Sequence, residues 1–496
     1  MKVLLAGCNL DSGIISELGK GSALELTPET ISAAYARISR SPLPVDELRR
    51  AARAEVGEAR KSNTRIVFDM GHSSIAEHAV FNVDAIGVSR LIVEEIEKFR
   101  LCSYTEKSQR YVLLKDDYVI PAEVTSAGLQ DRYAEIIREQ NEFYHVLFDA
   151  LRPYVFEKNP ELAAEPANRT LLENLAKEDA RYVLSLATET QLGMTVNARN
   201  MELMLRRFAA HPLEEVRRFG SQLYAACRGM APSLIRYADA TEYDRFTRGE
   251  LREETRELFA KWGKKKWEEK KPRMLARRGR VSLIWATPDA DQKVIAALMH
   301  SSSNHSMDRC LAVAHLMDKE EMEKILAASM KRMRFYDAPL REFENADLQF
   351  EMIISASCFA QMKRHRMATV TTQDYDPALG VTIPPSIRET GMEEHFRRVV
   401  FRTEEFYAVL KSEAPEAAAY ILTNAHQKRV IMKLNARELY HIARLRMDRH
   451  AQWDIRDTAE KMVNLGRRFM PLTLMFASGK DAFTDLAKTK SVNDPA

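Results

Sequence analysis

Apolar and polar positions alternate in two recognisable ways along this chain, and each predicts an element. Lys2–Gly7 is a short apolar run closed by glycine and reads as a strand; Ala79–Val88 alternates with a period of two and reads as another. Val45–Ser62 and Val88–Phe99 carry helical spacing, and Thr27-Pro28-Glu29-Thr30 places threonine before proline with an acidic first turn, the chemistry of a helix start. A helix runs on from there through Ala34–Ile38, and Thr287-Pro288 with its following helix repeats the arrangement. Later, the apolar run Phe350–Phe359 leads into Lys363-Arg364-His365-Arg366. Read as one helix over Phe350–Arg366, it sets Gln361, Arg364 and His365 at i, i+3 and i+4, projecting to one side.

The same stretch occurs earlier in altered form. Arg100 answers to Arg366 and Ser103 to Thr369 at equal separation, Ile120-Pro121 to Ile383-Pro384, and Gly128 to Gly391. Glu142-Phe143-Tyr144 answers to Glu405-Phe406-Tyr407, and Asn197-Ala198-Arg199 to Asn435-Ala436-Arg437. Ordered matches of this kind mark an internal duplication. The expected organisation is a first module over 1–240, a charged linker over 241–280, a second module over 281–477 and a polar tail over 478–496.

Composition narrows the class. With 496 residues, 45% hydrophobic and 29% charged, the chain can bury two or three cores. A net charge of +3 demands no polyanionic partner. No apolar run approaches a membrane span, and Met1-Lys2-Val3 opens a strand rather than a signal peptide. The five cysteines, Cys8, Cys102, Cys227, Cys310 and Cys358, are scattered and lack a CxxC, which points to a reduced, cytoplasmic protein without a structural zinc. His72 and His78 have only Glu77 close by, too few ligands for a metal, and none is expected. Lys264–Lys266, Lys270-Lys271 and Arg277–Arg280 are interspersed with acids and few aromatics, so the stretch reads as a solvated helical linker before a nucleic-acid surface.

Gly71-His72-Ser73-Ser74-Ile75-Ala76-Glu77-His78, an apolar run, then Ser103 to Tyr111 resemble the flavin-dependent thymidylate synthases, whose signature is RHR followed by a serine-x-arginine element. The resemblance continues through Glu178–Tyr182 and Thr195–Arg199. In the second half it covers Asn435–Arg437, Leu445-Arg446 and Ala451–Arg456. Neither half holds the whole signature. The first has Lys98-Phe99-Arg100 in place of RHR but keeps Glu106, Ser108, Gln109, Arg110 and Arg181. The second keeps Gln361, Arg364, His365 and Arg366, but has Asp374-Tyr375-Asp376 for the phosphate loop and Ala419 near the place of Arg181.

The resemblance implies an α+β fold of two homologous modules, each a mostly antiparallel sheet with long helices. It implies FAD-dependent reductive methylation of dUMP to dTMP, with methylenetetrahydrofolate and NADPH as co-substrates. Arg446 is the expected catalytic group beside the pyrimidine, Gln361 and Arg364 orient the ring, and Glu106, Ser108, Gln109, Arg110 and Arg181 hold the substrate phosphate. Ser74, Glu77, Arg364, His365, Arg366, Asn197, Arg199, Asn435, Arg437, His441 and His450 are the expected FAD contacts. Arg437 with His441, and Arg446 with His450, form two i, i+4 pairs on the C-terminal helix. By analogy the chain forms a homodimer resembling the family's homotetramer, with composite sites that combine both halves. Three other readings stay open. They are a flavoenzyme acting on another pyrimidine nucleotide, since His441 and Tyr375 depart from the family, a non-catalytic nucleotide-binding relative, and a nucleic-acid binder using 264–280.

Overall fold

A computed structural model describes residues 1–17, 25–114, 117–270 and 276–483, without the side chains of 263–270 and 278. Most of the basic stretch at 264–275 and the tail from 484 onward thus lie outside the described residues. Two compact units form, one from 1–269 with 385–423 and one from 270–384 with 424–496. The segment 385–423, which belongs to the second sequence repeat, is therefore part of the first unit.

The first unit holds a four-stranded sheet of β1 (Lys2–Cys8), β2 (Val80–Ser89), β3 (Ser103–Glu106) and β4 (Glu189–Asn197), in the order β1-β2-β4-β3. The second holds β5 (Ala276–Arg278), β6 (Val281–Ala286), β7 (Asp347–Ser355), β8 (Thr369–Tyr375) and β9 (Gln427–Asn435), in the order β5-β6-β7-β9-β8. Every pairing is antiparallel. Without the edge strand β5, the second order repeats the first strand for strand, so the duplication read in the sequence is a duplication of topology.

Three expected helices change at their ends. Residues 350–355 belong to β7, where Leu348, Phe350, Met352 and Ile354 are buried in strict alternation. A period of two governs there, and the helix is only Ala356–Met362. Its counterpart likewise begins at Arg90 and ends at Ile96, because Val88 and Ser89 still pair with β4. Val45–Ser62 breaks at Glu55, whose φ of −130° and ψ of 65° separate the helices Val45–Ala54 and Val56–Thr64.

Equivalent caps bind the two repeats to one plan. Ser89 and Ser355 each accept the backbone N–H three residues on, from Ile92 and Cys358. Asn197 and Asn435 do the same for Asn200 and Glu438 at the start of the helices Ala198–Ala209 and Ala436–Arg446. A buried carboxylate at the start of a helix in each unit then holds a later segment of that unit: Glu29 accepts from Ser233, and Asp291 from the backbone of Leu472 and Thr473.

The linker is the helix Glu242–Lys270, exposed along most of its described side chains, including Phe246, Leu251, Phe259 and Trp262. Its start is tied to Arg206 and Arg207 through Asp244, at 3.1 and 2.7 Å. No helix of the described residues is long and apolar enough to cross a membrane.

Candidate active site

In the second unit the short helix Ala356–Met362 dictates the site. It stops before the charged triplet, the chain turns, and the His365 N–H bonds back to the Met362 carbonyl at 3.1 Å. His365 is thereby folded inward and buried, while Arg364 and Arg366 are exposed. Gln361, Arg364 and His365 therefore do not share one helix face as the pattern predicted. Instead, Arg446, the last residue of the helix Ala436–Arg446, reaches across. Its Nε donates to His365 Nε2 at 3.0 Å and its Nη2 to the Gln361 carbonyl at 3.1 Å. Gln361 is buried, and its Nε2 has no hydrogen-bond partner among the described residues.

That contact determines the state of the imidazole. A guanidinium offers only donors, so Nε2 must present its lone pair and the neutral ring carries its proton on Nδ1. Burial, with Arg446 alongside, pushes the His365 pKa down to about 3, and the ring stays neutral. Nδ1 faces Oε1 of buried Glu438 at 3.3 Å. The approach is oblique, close enough for electrostatic attraction but short of a well-aligned hydrogen bond, and neither atom has another partner among the described residues. Burial raises the Glu438 pKa above the ordinary carboxylate value, while His441 and Arg437 counteract it.

His441 lies one turn further along, exposed, its ring centroid 5.5 Å from that of His365. The ligand atoms of His365, Glu438 and His441 come within 4.8 Å of one another, a spacing a metal ion can use. Coordination at Nδ1 would require that nitrogen to lose its proton while Nε2 still accepts from a cation. The bond to Arg446 argues against it.

The other second-unit residues are placed differently from expectation. Arg437 donates to the Pro339 carbonyl at 2.8 Å and to Glu344 at 3.1 Å, and Asn435 is occupied as a helix cap. His450 lies beyond the helix, which ends at Arg446, so the expected i, i+4 pair with Arg446 does not form; its backbone N–H bonds Asp448 at 2.9 Å. Tyr375 is buried, with the Lys428 ammonium 4.1 Å from its ring centroid, and Asp376 caps the Ala378 N–H at 2.9 Å.

In the first unit three of the candidate phosphate residues, Ser108, Arg110 and Arg181, gather around Glu178. Arg110 pairs with Glu178, Arg181 donates to the Glu178 carbonyl at 3.1 Å, and Ser108 Oγ accepts the Arg110 N–H at 3.2 Å. Gln109 and Arg181 are buried. Burial raises the Glu178 pKa, opposed by Arg110 and Arg181. Glu106 forms a buried ion pair with Arg90 at 2.8 Å, and Arg90 acts electrostatically on Arg181. Glu77 pairs with Arg199, as Glu344 does with Arg437, while Ser74 and His72 are exposed.

Glu438, Glu344 and the central place of Glu178 escaped the sequence reading. The offset of 238 between Asn197 and Asn435 could have found the first, since it aligns Asn200 with Glu438, Leu203 with His441 and Phe208 with Arg446.

The chain matches the family described as thymidylate synthase complementing protein twice, over residues 24–233 and 282–472. It is 27% identical over 440 residues to a UPF0159 protein of Chlamydia muridarum, covering 86% of this chain and 82% of that one. With a flavin-dependent thymidylate synthase of Clostridium tetani it shares 30% identity over 224 residues, 44% of this chain and 86% of the relative. A solved flavin-dependent thymidylate synthase from Helicobacter pylori, complexed with FAD and dUMP, is 19% identical with a TM-score of 0.30, covering 48% of this chain and all of that one.

Proposed function

Because the chain belongs to the flavin-dependent thymidylate synthase family, matched in both of its repeats, we propose that it is an FAD-dependent thymidylate synthase. It methylates dUMP reductively in the cytoplasm, with methylenetetrahydrofolate as carbon donor and NADPH as reductant, and works as a homodimer. The observation that carries this reading is the contact between Arg446 and buried His365, beside a Gln361 amide that lacks a partner.

The chemical demand is that C5 of uracil, a poor nucleophile, must gain electron density. A guanidinium held at the ring edge stabilises the negative charge that develops there, and Arg446 is held by two hydrogen bonds before any ligand arrives. A buried amide donor without an acceptor costs free energy until a ligand supplies one, and a pyrimidine carbonyl fits Gln361 Nε2. Exposed Arg364 and Arg366 offer planar cations to the flavin and its phosphates. FAD, when bound, supplies the hydride. His365 remains neutral at the cofactor's edge and adds no charge of its own.

Arg110 pairs with the Glu178 carboxylate and Arg181 donates to the Glu178 backbone carbonyl, which gathers two guanidiniums at one place for the substrate phosphate. The two sets of residues are complementary in sequence, so turnover requires both repeats. Rescue of thymidine-requiring cells by the full chain, abolished by Arg446→Ala, tests the proposal. A purified chain without flavin absorbance that also fails to rescue would overturn it. A second reading, a flavoenzyme for another pyrimidine nucleotide, is favoured by Glu438 and His441 beside His365; titrating a panel of pyrimidine nucleotides against the flavin spectrum separates the two.

A further inference from the structure

We propose that Glu438 is a positioning residue, which holds His365 in the Nδ1–H tautomer and thereby keeps Nε2 as the acceptor that fixes the Arg446 guanidinium. This rests on the reading of Arg446 as the group that faces the pyrimidine.

Two observations and one physical argument converge. Arg446 Nε donates to His365 Nε2 at 3.0 Å, which leaves Nδ1 as the nitrogen that carries the proton. The Nδ1 of His365 and the Oε1 of Glu438 face each other at 3.3 Å, both buried and neither with a hydrogen-bond partner of its own among the described residues. A buried N–H opposite a carboxylate is stabilised over the alternative tautomer, which would set a lone pair against that carboxylate and a proton against the guanidinium. Carboxylate, imidazole and guanidinium then form a chain that ends at the reacting ring.

The internal duplication is the control. In the first repeat the positions of His365, Glu438, His441 and Arg446 are held by Phe99, Asn200, Leu203 and Phe208. The imidazole, carboxylate and guanidinium are absent together. Asn200, with no imidazole to face, turns its amide to Asn197 Oδ1 at 2.8 Å. The helix needs no acid at that position, since its cap uses the backbone N–H there. Glu438 belongs with the imidazole and not with the helix.

The test compares Glu438→Asn, which copies the first repeat's own residue, with Glu438→Gln, which keeps a side-chain oxygen at similar reach. Nitrogen-15 NMR of histidine-labelled full-length chain, with the His365 signals assigned through His365→Phe, reads the tautomer directly. The wild type should show Nδ1–H, Glu438→Asn should lose that preference, and Glu438→Gln should retain it. Glu438→Asn should also lower kcat for dUMP by about ten- to a hundredfold, with FAD content unchanged and Glu438→Gln close to wild type. An unchanged tautomer in Glu438→Asn, or Glu438→Gln failing as badly as Glu438→Asn, overturns the proposal. If dUMP proves not to be the substrate, the functional reading falls while the tautomer result still decides the role of Glu438.

Discussion

Phe99 and Phe208 stand edge to face with ring centroids 5.5 Å apart, at the positions that His365 and Arg446 hold in the second unit. One repeat thus closes with an aromatic pair the place where the other keeps an imidazole and a guanidinium. Phe208 packs further on Phe219 at 5.6 Å and against Gly220, where an added Cβ would approach its own Cβ to 2.8 Å. The first copy has become core.

Truncating that core should therefore cost stability and spare ligand binding. Phe208→Ala is expected to destabilise the first unit by about 3–5 kcal/mol, the range for a buried phenylalanine, with dUMP affinity of the folded protein unchanged. Denaturant unfolding and nucleotide titration on the same preparation check it. A folded Phe208→Ala protein that no longer binds nucleotide would contradict the division of labour.

Flavin retention should be asymmetric. His365→Ala with Arg366→Ala is expected to strip FAD, while Phe99→Ala with Arg100→Ala leaves most of it bound. Flavin absorbance per chain measures both, and equal loss from the two double variants would sink the assignment.

The phosphate grip can be tested without confusing it with folding. Arg110→Ala alone leaves the carboxylate of Glu178 buried beside one remaining cation, so Glu178→Gln is combined with it. Loss of one charge-assisted contact, about 1.5–3 kcal/mol, predicts roughly ten- to a hundredfold weaker dUMP binding. FAD should stay in place. Undiminished affinity in the double variant would remove Arg110 from the site.

Stability should depend on pH through His365. Its folded-state pKa of about 3 lies below the ordinary 6.5. Between those values the unfolded chain binds a proton that the folded one does not, so stability rises with pH across the window and falls as pH drops from 6.5 towards 3. At about 1.4 kcal/mol per pH unit the full loss is on the order of 5 kcal/mol. Glu438 and Glu178, both raised, act in the opposite sense, so the comparison is with His365→Phe, which lacks this slope alone. Matching pH slopes in the two proteins would refute the burial-driven shift.

No thiol should be needed. Burial pushes the Cys227 pKa up to about 12 and that of Cys358 well above its ordinary value, so neither supplies a thiolate at neutral pH. Replacing all five cysteines by alanine is expected to leave the chemical step intact. A single folded cysteine variant without turnover would revive a thiol mechanism.

The sequence by itself determined the duplication, because topology is carried by ordered local signals: the alternation of Val80–Ser89, the asparagine caps at 197 and 435, and the repeated spacing around Arg100 and Arg366. It also singled out Gln361, His365 and Arg446 through family resemblance, and the structure brings the three together. Tertiary structure alone decided that His365 is buried while its two arginine neighbours are exposed, since a helix only seven residues long ends in a turn that no periodicity announces. It alone paired His365 with Arg446 across 81 residues, and set Glu438 and Glu178 at the centres of their groups. Period and propensity report which face of an element is apolar. Which buried charge meets which is settled only when strands and helices from distant stretches pack and each desolvated group must find a partner.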